Sequence, residues 1–483
     1  MKILRRPFQI RFFPNSTFTM HKCLCWLCIL SAILAVGLIT AGSASAQPAP
    51  YKSKTLANGL DVIVVENHMV PLATVELVAK NGGFTEPPEY SGLSHLYEHM
   101  FFKANEKYPS QEKFLHGLED LGGSLGVSNA ATHQEHVNYF IVIPKKNLAG
   151  GLDFMSAAIR TPLFDTAELR KERYVVLGEF DRNEAEPTFK LRYAMDSAVW
   201  SPELFSRKEQ LGLRPTILSA TPEMMHTIQH RFYVPNNMAL IVAGDVDPNQ
   251  VFAEAEKYFG PAIWPKGPAP FPTYNPPPFP PIKKQLVVRE APNLPYTYID
   301  FEWHGPSLGK DNADTYAADV FSTIVNEPNS RFQKDLVDKR LAYQVQTSYY
   351  SEKNVGPISI DAYVPIPATK KAVKAIQNEI SHWTDPDYFT DEELNTAKRI
   401  LEGDRIYETE SATSFATNSL PLWWASAGLD YFNHYLDNVK KVTRADIQRY
   451  LNKWIVGKNY VLGVTTNQTA LDKLQLKAED LIQ

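Results

Sequence analysis

The sequence predicts an α+β fold built from two related modules, each a mixed or antiparallel sheet with helices packed on one face. Three observations lead to this prediction. Segments of strand composition and segments of helical periodicity are mixed without a strict β-α-β-α order. A proline-rich stretch divides the chain near its middle. Blocks on the two sides of that stretch match at a nearly constant spacing, which indicates a duplicated unit.

The first 46 residues have the pattern of a secretory signal. Residues 1–22 contain five basic and no acidic residues, and residues 23–40 are almost entirely apolar. The small residues Ala44, Ser45 and Ala46 follow, as at a signal peptidase site. We therefore expect cleavage after Ala46 and export to the periplasm of a Gram-negative cell. Retention of the segment as a membrane anchor is the alternative.

Composition excludes several classes of partner and chemistry. All the cysteines lie within the predicted signal, at positions 23, 25 and 28, so we expect neither a disulfide nor thiol chemistry after cleavage. Loss of the five basic residues changes the formal charge from −5 to −10, which argues against a nucleic-acid partner. No other stretch is long and apolar enough to span a membrane, so we expect no membrane contact after cleavage.

The N-terminal module is expected at residues 47–260. Its strands are predicted from segments rich in β-branched and aromatic residues, which read LDVIVVEN, ATVELVAK, VNYFIVIP and MALIVAGDV. Its helices are predicted from apolar residues at helical spacing, within 91–104, 110–121, 146–160, 166–185 and 221–232.

A linker is expected at residues 261–284, because ten of positions 261–281 are proline. Such a run disfavours helix and central strand and favours an extended, semi-rigid chain. The C-terminal module then occupies residues 285–483. Its strands are predicted near 285–291, 296–303, 358–364 and 459–466.

The duplication is visible in two separate blocks. TPEMMHTIQHRFYVPNNMALIV, residues 221–242, matches residues 443–464 at a spacing of 222. FIVIP, residues 140–144, matches DAYVP, residues 361–365, at a spacing of 221. Two independent blocks at nearly the same spacing predict a repeated module of about 220 residues.

The segment GLSHLYEHMFFK, residues 92–103, carries the clearest chemical pattern. His95, Glu98 and His99 occupy positions i, i+3 and i+4, so they share one face of a helix. Two imidazoles one turn apart reach a single metal ion, and zinc prefers such nitrogen ligands. A catalytic zinc site has three protein ligands, so the third must come from elsewhere in the chain.

The best source of a third ligand is ERYVVLGE, residues 172–179. Glu172 and Glu179 are seven residues apart and therefore lie on one helix face, two turns apart. One carboxylate would bind the metal, and the other would orient a histidine. Gly178, beside Glu179, would allow another backbone or a ligand to approach closely.

The order H-x-x-E-H, inverted from H-E-x-x-H, is typical of a separate group of zinc peptidases. Over nearly the whole chain after the signal, the sequence resembles the M16 family, which includes pitrilysin, insulin-degrading enzyme and mitochondrial processing peptidase. Residues 92–103 resemble its G-x-(A/S)-H-x-x-E-H-M-x-F-K block, and residues 172–179 resemble its E-x-x-x-V-x-x-E block. Glu179 follows His99 by 80 residues, close to the family's spacing. LGGSLGVSNAATHQEHVNYFIVIP, residues 121–144, resembles the block that forms an edge strand for substrate.

This resemblance implies half of an M16 clamshell with one Zn²⁺ per chain. The implied metal ligands are His95, His99 and Glu179. Glu98 is implied to deprotonate the zinc-bound water and to pass the proton to the leaving amine, while Glu172 orients a histidine ligand. The implied contacts to substrate backbone, by strand addition, are Asn129 and Ala130. His133 and His136 lack ligand spacing and are interpreted as polar groups on the surface.

The C-terminal module is a degenerate copy, since at a spacing of 221 the histidines are replaced by Tyr316 and Val320. In the family, this half often supplies a basic residue and, shortly after it, a tyrosine that hold substrate. Here Tyr343 remains as a candidate substrate-binding residue, but Val337 occupies the basic position. Arg331 or Arg340 could supply the missing basic group, but neither has the family's spacing from the tyrosine.

These features favour a zinc metalloendopeptidase that cleaves peptides or unfolded segments in a closed chamber. Because half a clamshell cannot enclose a peptide, we expect a heterodimer with a second M16-type subunit that supplies the Arg and Tyr pair. A homodimer is the alternative. A non-catalytic assembly or binding subunit is the competing function, and the intact His95, Glu98 and His99 argue against it. A different zinc hydrolase is disfavoured by the predicted edge strand, which suits an extended peptide.

Overall fold

The computed structural model describes residues 50–268 and 276–482. The predicted signal, residues 1–46, lies outside the described residues. The described residues belong to one compact unit. In the described part of the chain, no helix combines the length and apolar character needed to cross a bilayer.

Within residues 50–268, six strands form one sheet in the order β1-β2-β6-β3-β5-β4. Parallel pairing joins β2 and β6, and the other neighbours are antiparallel. The central strands are almost completely buried and consist largely of Val, Ile, Leu and Ala. The strands are β1 (Lys52–Thr55), β2 (Asp61–Glu66), β3 (Leu72–Ala79), β4 (Asn129–Thr132), β5 (Val137–Pro144) and β6 (Met238–Gly244).

The helices of this module cover one face of that sheet, where Leu96, Phe154 and Ile228 join the core formed by Val75, Ile141 and other strand residues. These helices are α1 (Leu93–Phe101), α2 (Gln111–Asp120), α3 (Leu148–Arg160), α4 (Thr166–Glu184), α6 (Arg214–Ser219), α7 (Pro222–Phe232) and α8 (Pro248–Phe259). Helix α5 (Phe189–Trp200) instead packs against the sheet of the other module.

Within residues 276–482, five strands form a second sheet in the order β7-β11-β8-β10-β9. This order repeats β2-β6-β3-β5-β4 of the first sheet, including one parallel pair, between β7 and β11. The strands are β7 (Gln285–Glu290), β8 (Thr297–His304), β9 (Gln344–Tyr349), β10 (Pro357–Val364) and β11 (Val461–Thr466). The repeated topology confirms the predicted fold class of two related modules.

The helices after β8 repeat the scheme of the first module. Thr443 caps α16 through a hydrogen bond from the Asp446 N–H, as Thr221 caps α7 through the Met224 N–H, 222 residues earlier. The helices are α9 (Asn312–Asn326), α10 (Arg331–Gln333), α11 (Thr369–His382), α12 (Asp391–Glu408), α13 (Ala412–Ser414), α14 (Leu420–Ser426), α15 (Leu429–Lys441), α16 (Arg444–Trp454), α17 (Gln468–Leu474) and α18 (Ala478–Leu481). Short π-helical segments follow α10 and α13, at Lys334–Asp338 and Phe415–Ser419.

Each sheet is covered on its second face by a helix from the other module. Met195 of α5 packs against Gly463 of β11, in a cluster with Val287 and Val461. In the opposite direction, Phe415 and other residues of the α13–α14 region pack on the outer face of β2 and β6. Burial of apolar surface across both contacts joins the modules, since each large apolar side chain contributes about 1.5–3 kcal/mol.

No helix or strand occurs at residues 261–268 or 276–284. The second of these segments is held to the first module by Arg207, whose Nη1 donates to the carbonyl of Pro277 at 2.6 Å.

Candidate metal and active site

Helix α1 begins in a fixed position because its first turn is bound by a buried carboxylate. The N–H groups of Gly92 and Ser94 both donate to Glu86, each at 2.6 Å. Burial raises the pKa of Glu86 to about 7, against the effect of these hydrogen bonds. Gly92 has φ +87°, and a Cβ there would lie 2.2 Å from the Leu211 carbonyl oxygen. Glycine is therefore required at the start of the helix.

His95 and His99 project from one face of α1. Their Nε2 atoms are 3.3 Å apart, and their side chains are 12% and 15% exposed. Leu96 and Met100, on the adjoining face, are buried in the core and hold the helix against the sheet. The two imidazoles thus share a small, largely dehydrated space.

Glu179 reaches this pair from α4. Its Oε2 lies 3.4 Å from Nε2 of His95 and 3.8 Å from Nε2 of His99. The three donor atoms all lie within 4.8 Å of one another. Leu169 and Val176, which are fully buried, fix the face of α4 that turns toward α1.

Glu172 occupies the position beyond His99. His99 Nδ1 lies 2.8 Å from Glu172 Oε1, and Lys103 Nζ lies 2.6 Å from Glu172 Oε2. The carboxylate fixes the proton on Nδ1, so that a neutral His99 ring directs its Nε2 lone pair at the cluster. Helical spacing alone left the two glutamates equivalent, and in the structure Glu179 lies among the donor atoms while Glu172 lies behind His99.

The donor set of this cluster fits Zn²⁺. Two imidazole nitrogens and one carboxylate oxygen are ligand types that zinc accepts, and three protein ligands leave a position for water. Burial and the neighbouring His99 lower the pKa of His95 to about 3, so its ring is neutral at physiological pH. Within the described residues, His95, His99 and Glu179 form the single group of three or more such donors.

The pKa of His99, unlike that of His95, is governed by neighbouring carboxylates. Burial alone would lower the pKa of His99, but its hydrogen bond to Glu172 and the nearby carboxylates raise it overall. Burial likewise opposes ionisation of Glu172, but contacts with His99 and Lys103 lower its pKa overall. Without a metal, the pair thus tends toward imidazolium and carboxylate, and a cation bound at Nε2 would replace the second proton of His99.

Glu98 lies beside the metal-ligand cluster and is tied to the sheet edge. Its Oε2 accepts a hydrogen bond of 2.7 Å from the Thr132 hydroxyl. Burial raises the pKa of Glu98 to about 7, against this hydrogen bond and the attraction of His99. Thr132 is the last residue of β4, the terminal strand of the first sheet, where Asn129 pairs with Phe140. The strand that carries the candidate residues Asn129 and Ala130 is therefore hydrogen-bonded to Glu98 through Thr132.

The C-terminal module holds no equivalent of this cluster among its described residues. Tyr316 and Val320 lie in the buried core on α9. Tyr343 is 64% exposed, and its N–H donates to the carbonyl of Tyr363 at 2.7 Å. Val337 packs against the core of this module.

The two arginines near Tyr343 differ in their surroundings. Arg331 forms ion pairs with Asp335 and Glu379, at 3.8 and 3.7 Å. Arg340 is exposed in a turn, with φ +58°. Of the two, Arg331 is therefore already engaged within its own module.

One expectation from the sequence is wrong for His136, which is 3% exposed and therefore not a surface group. His133 is half-buried, its ring stacks on that of His136 at 4.2 Å, and burial lowers its pKa to about 4. The backbone of this turn is held by the N–H groups of Gly83 and Phe84, which donate to the carbonyls of His133 and Gln134. No other backbone lies close to Gly178, since a Cβ there would meet nothing within 4 Å, so the space beside Glu179 is open.

Three residues of the site were not found from the sequence. Lys103 is the last residue of the motif, and its position four residues after His99 could have indicated a neighbour of that ring. Thr132 and Glu86 carry no local signal, because each acts on α1 from a separate segment.

Two family sequence models match the chain. The model described as insulinase, peptidase family M16, matches residues 61–207, and the model described as the peptidase M16 inactive domain matches residues 219–401. Together they span the metal-ligand cluster and most of the second module.

Individual relatives agree with these matches. The chain is 25% identical to an uncharacterised zinc protease, YmxG, of Bacillus subtilis over 368 residues, which are 75% of this chain and 85% of that protein. It is 30% identical to bovine insulin-degrading enzyme over 202 residues, which are 40% of this chain but 19% of that enzyme. The chain thus spans a small part of the insulin-degrading enzyme's length.

The fold is shared with the periplasmic protease PqqL of Escherichia coli, with a TM-score of 0.75 and 17% identity. That match covers 90% of this chain and 50% of PqqL. Relatives named as zinc proteases and a cluster of donors suited to zinc support a peptidase. The two family models, these relatives and the shared fold together show that the chain belongs to peptidase family M16.

Proposed function

We propose that this chain is a zinc-dependent endopeptidase that cleaves peptides or unfolded segments. One observation carries the proposal: Glu98, with a hydrogen bond to the sheet edge, lies on the same helix face as two histidines whose Nε2 atoms meet Glu179. A purely structural subunit needs neither the converging donors nor the adjacent carboxylate.

In the proposed reaction, His95, His99 and Glu179 hold the ion. When bound, Zn²⁺ lowers the pKa of a water molecule to about 7 and polarises the scissile carbonyl. Glu98 takes the proton of the attacking water on a carboxylate oxygen and delivers it to the leaving amine. The Thr132 hydroxyl donates to Oε2 of Glu98 and thereby fixes the orientation of this carboxylate.

The substrate is proposed to bind as an additional strand beside β4. As the terminal strand of the sheet, β4 pairs on one side with β5 and has no strand on its other side among the described residues. An extended peptide would bind the backbone at Asn129 and Ala130. This arrangement places the peptide next to Thr132 and hence next to Glu98.

A closed chamber is proposed to require a second subunit. The match to half of PqqL supports a two-part clamshell in which this chain supplies one part. The partner would be an M16-type subunit that supplies an Arg and Tyr pair, and Tyr343 is the candidate contribution from this chain. A homodimer is the alternative. A periplasmic location is proposed from the predicted signal, and PqqL is likewise described as periplasmic.

Metal analysis and peptide cleavage test the proposal, with the chain from residue 47 onward assayed alone and with a candidate M16 partner. We expect one zinc per chain in both the wild type and Glu98→Gln, and turnover only in the wild type. Glu112→Gln, at an exposed glutamate of α2, is the matched control and should behave as the wild type. Normal turnover by Glu98→Gln would refute the assigned base. A zinc-loaded wild type inactive in every combination would favour the non-catalytic role.

A further inference from the structure

The corresponding hairpins of the two modules touch at their tips. The β4–β5 turn, residues 133–136, and the β9–β10 loop, residues 350–356, occupy equivalent places in the repeated sheet order. Each hairpin forms the edge of its own sheet, so the contact joins the two sheet edges.

Glu135 makes this contact. Its Oε2 accepts the backbone N–H of Lys353 at 2.8 Å, and its Oε1 accepts the backbone N–H of Asn354 at 2.8 Å and the Asn354 side-chain amide at 2.7 Å. A carboxylate that receives three N–H donors from one loop fixes both the position and the direction of that loop.

The same loop is held from its other side by Lys208 of the first module. Lys208 and Glu352 form an ion pair in which the side chains are 5% and 3% exposed. Lys208 Nζ also donates to the carbonyls of Asn354 and Val355, at 3.0 and 2.9 Å. The loop therefore has hydrogen-bond partners in the first module at four successive residues, 352–355.

Backbone geometry indicates that these contacts impose the loop conformation. Val355 has φ +61°, a region that a β-branched residue rarely adopts. Such a conformation persists only where the surroundings determine it. Here the Val355 carbonyl binds Lys208, and its N–H donates to the Ser307 hydroxyl at 3.1 Å.

The hairpin that Glu135 anchors leads directly to the active site. His133 closes the turn through a hydrogen bond from its N–H to the carbonyl of His136, at 2.8 Å. Thr132, the next residue toward the strand, donates to Glu98. A path of hydrogen bonds and four residues of chain thus connects the second module's loop to the general base.

We propose that Glu135 is a positioning residue, through which loop 352–355 of the second module holds β4 in register with Glu98. The degenerate module then contributes to catalysis without a metal ligand of its own. This inference rests on the proposed peptidase function, because β4 is the strand to which substrate binds.

Glu135→Gln tests the proposal, since it keeps the size of the side chain but places an amide opposite the three N–H donors. With a peptide substrate, we expect KM to rise about tenfold while zinc content stays at one per chain. A merely destabilised protein would lose active molecules, which lowers the apparent kcat and leaves KM unchanged. Asn354→Ala removes one of the three donors from the opposite module and should change KM in the same direction by a smaller factor.

Hydrogen exchange gives a second measurement that does not depend on activity. We expect faster amide exchange in residues 129–140 of Glu135→Gln and unchanged exchange in β11. The control, Glu112→Gln, should match the wild type in both regions and in KM. Unchanged exchange in residues 129–140, or faster exchange with an unchanged KM, would overturn the proposal. If the wild type cleaves no peptide either alone or with an M16 partner, the proposed function fails, and the exchange data alone decide whether Glu135 holds the hairpin.

Discussion

The hydroxyl of Thr132 donates a hydrogen bond of 2.7 Å to Oε2 of Glu98. This bond connects the last residue of the edge strand β4 to the proposed general base on α1. Any movement of β4 along its own axis would therefore also disturb the carboxylate. In the proposed mechanism, the Thr132 side chain therefore couples substrate binding at β4 to proton transfer by Glu98.

Thr132→Val removes the hydroxyl and keeps the shape of the side chain. A hydrogen bond to a charged group contributes about 1.5–3 kcal/mol, so we expect kcat to fall roughly 10- to 100-fold. KM should change little, because the strand backbone that binds the peptide is intact. Steady-state kinetics with Thr132→Ser as the control, which keeps the hydroxyl, measures the effect. Equal kcat values for the Val and Ser variants would exclude this role.

Glu172→Gln should weaken metal binding, although Glu172 is not among the converging donors. It orients His99 through Nδ1 at 2.8 Å, and loss of such a partner typically lowers metal affinity about 10- to 100-fold. Competition with a chromophoric chelator would measure the zinc dissociation constant. Glu168→Gln, one turn earlier on α4 and paired with Lys171 at the surface, should leave the dissociation constant unchanged. Equal affinity in the two variants would contradict the assignment.

Two glycines of the site should respond in opposite directions to alanine. Gly92→Ala places a Cβ 2.2 Å from the Leu211 carbonyl oxygen at φ +87°, so we expect the free energy of unfolding to fall by about 1–3 kcal/mol. Gly178→Ala meets nothing within 4 Å in the middle of α4, so we expect a rise of about 1 kcal/mol. Urea unfolding of both variants measures the difference. A stabilised Gly92→Ala would show that the start of α1 can shift.

The residues of the site that lie close together in the sequence could be predicted, whereas the contacts between distant segments could not. Helical spacing placed His95, Glu98 and His99 on one face and reduced the third-ligand candidates to Glu172 and Glu179. Spacing alone could not choose between the two glutamates, because the choice depends on how α4 crosses α1, and the assignment of Glu179 as ligand came from the family resemblance. Thr132 was missed for the same reason, since its partner is 34 residues away on another element.

The duplication was predictable, but the contact between its copies was not. Matching blocks at a spacing of about 220 predicted a repeated module, and the order of the five strands in the second sheet repeats that of five of the six strands in the first. Helix α5 was not predicted, although Leu191, Met195 and Val199 repeat at helical spacing. Its apolar face packs on the sheet of the other module, so nothing nearby in the sequence indicates its partner. The interpretation of His136 as a surface group failed similarly, because its turn is held by the N–H groups of Gly83 and Phe84, which are distant in sequence.

Asp319 should make stability depend on pH in a region remote from the metal-ligand cluster. Burial raises the pKa of this carboxyl from 3.8 to about 7, although the Tyr435 hydroxyl donates to it at 2.7 Å and Arg405 lies nearby. In the unfolded chain the carboxyl loses its proton near pH 4. Between about pH 4 and 7 the folded state therefore holds the additional proton, so stability falls as pH rises, by at most about 1.4 kcal/mol per pH unit from this group.

Asp319→Asn removes this titration and keeps an oxygen that accepts the Tyr435 hydroxyl. We expect the stability of the wild type relative to Asp319→Asn to decrease from pH 4 to pH 7 and to stay constant above about pH 8. Urea unfolding of both proteins at each pH measures this difference, and other titrating groups cancel because both proteins contain them. A relative stability that is flat or rises over this range would show that the folded state binds no additional proton at Asp319. The carboxylate would then be stabilised by Arg405 and Tyr435 more than burial destabilises it.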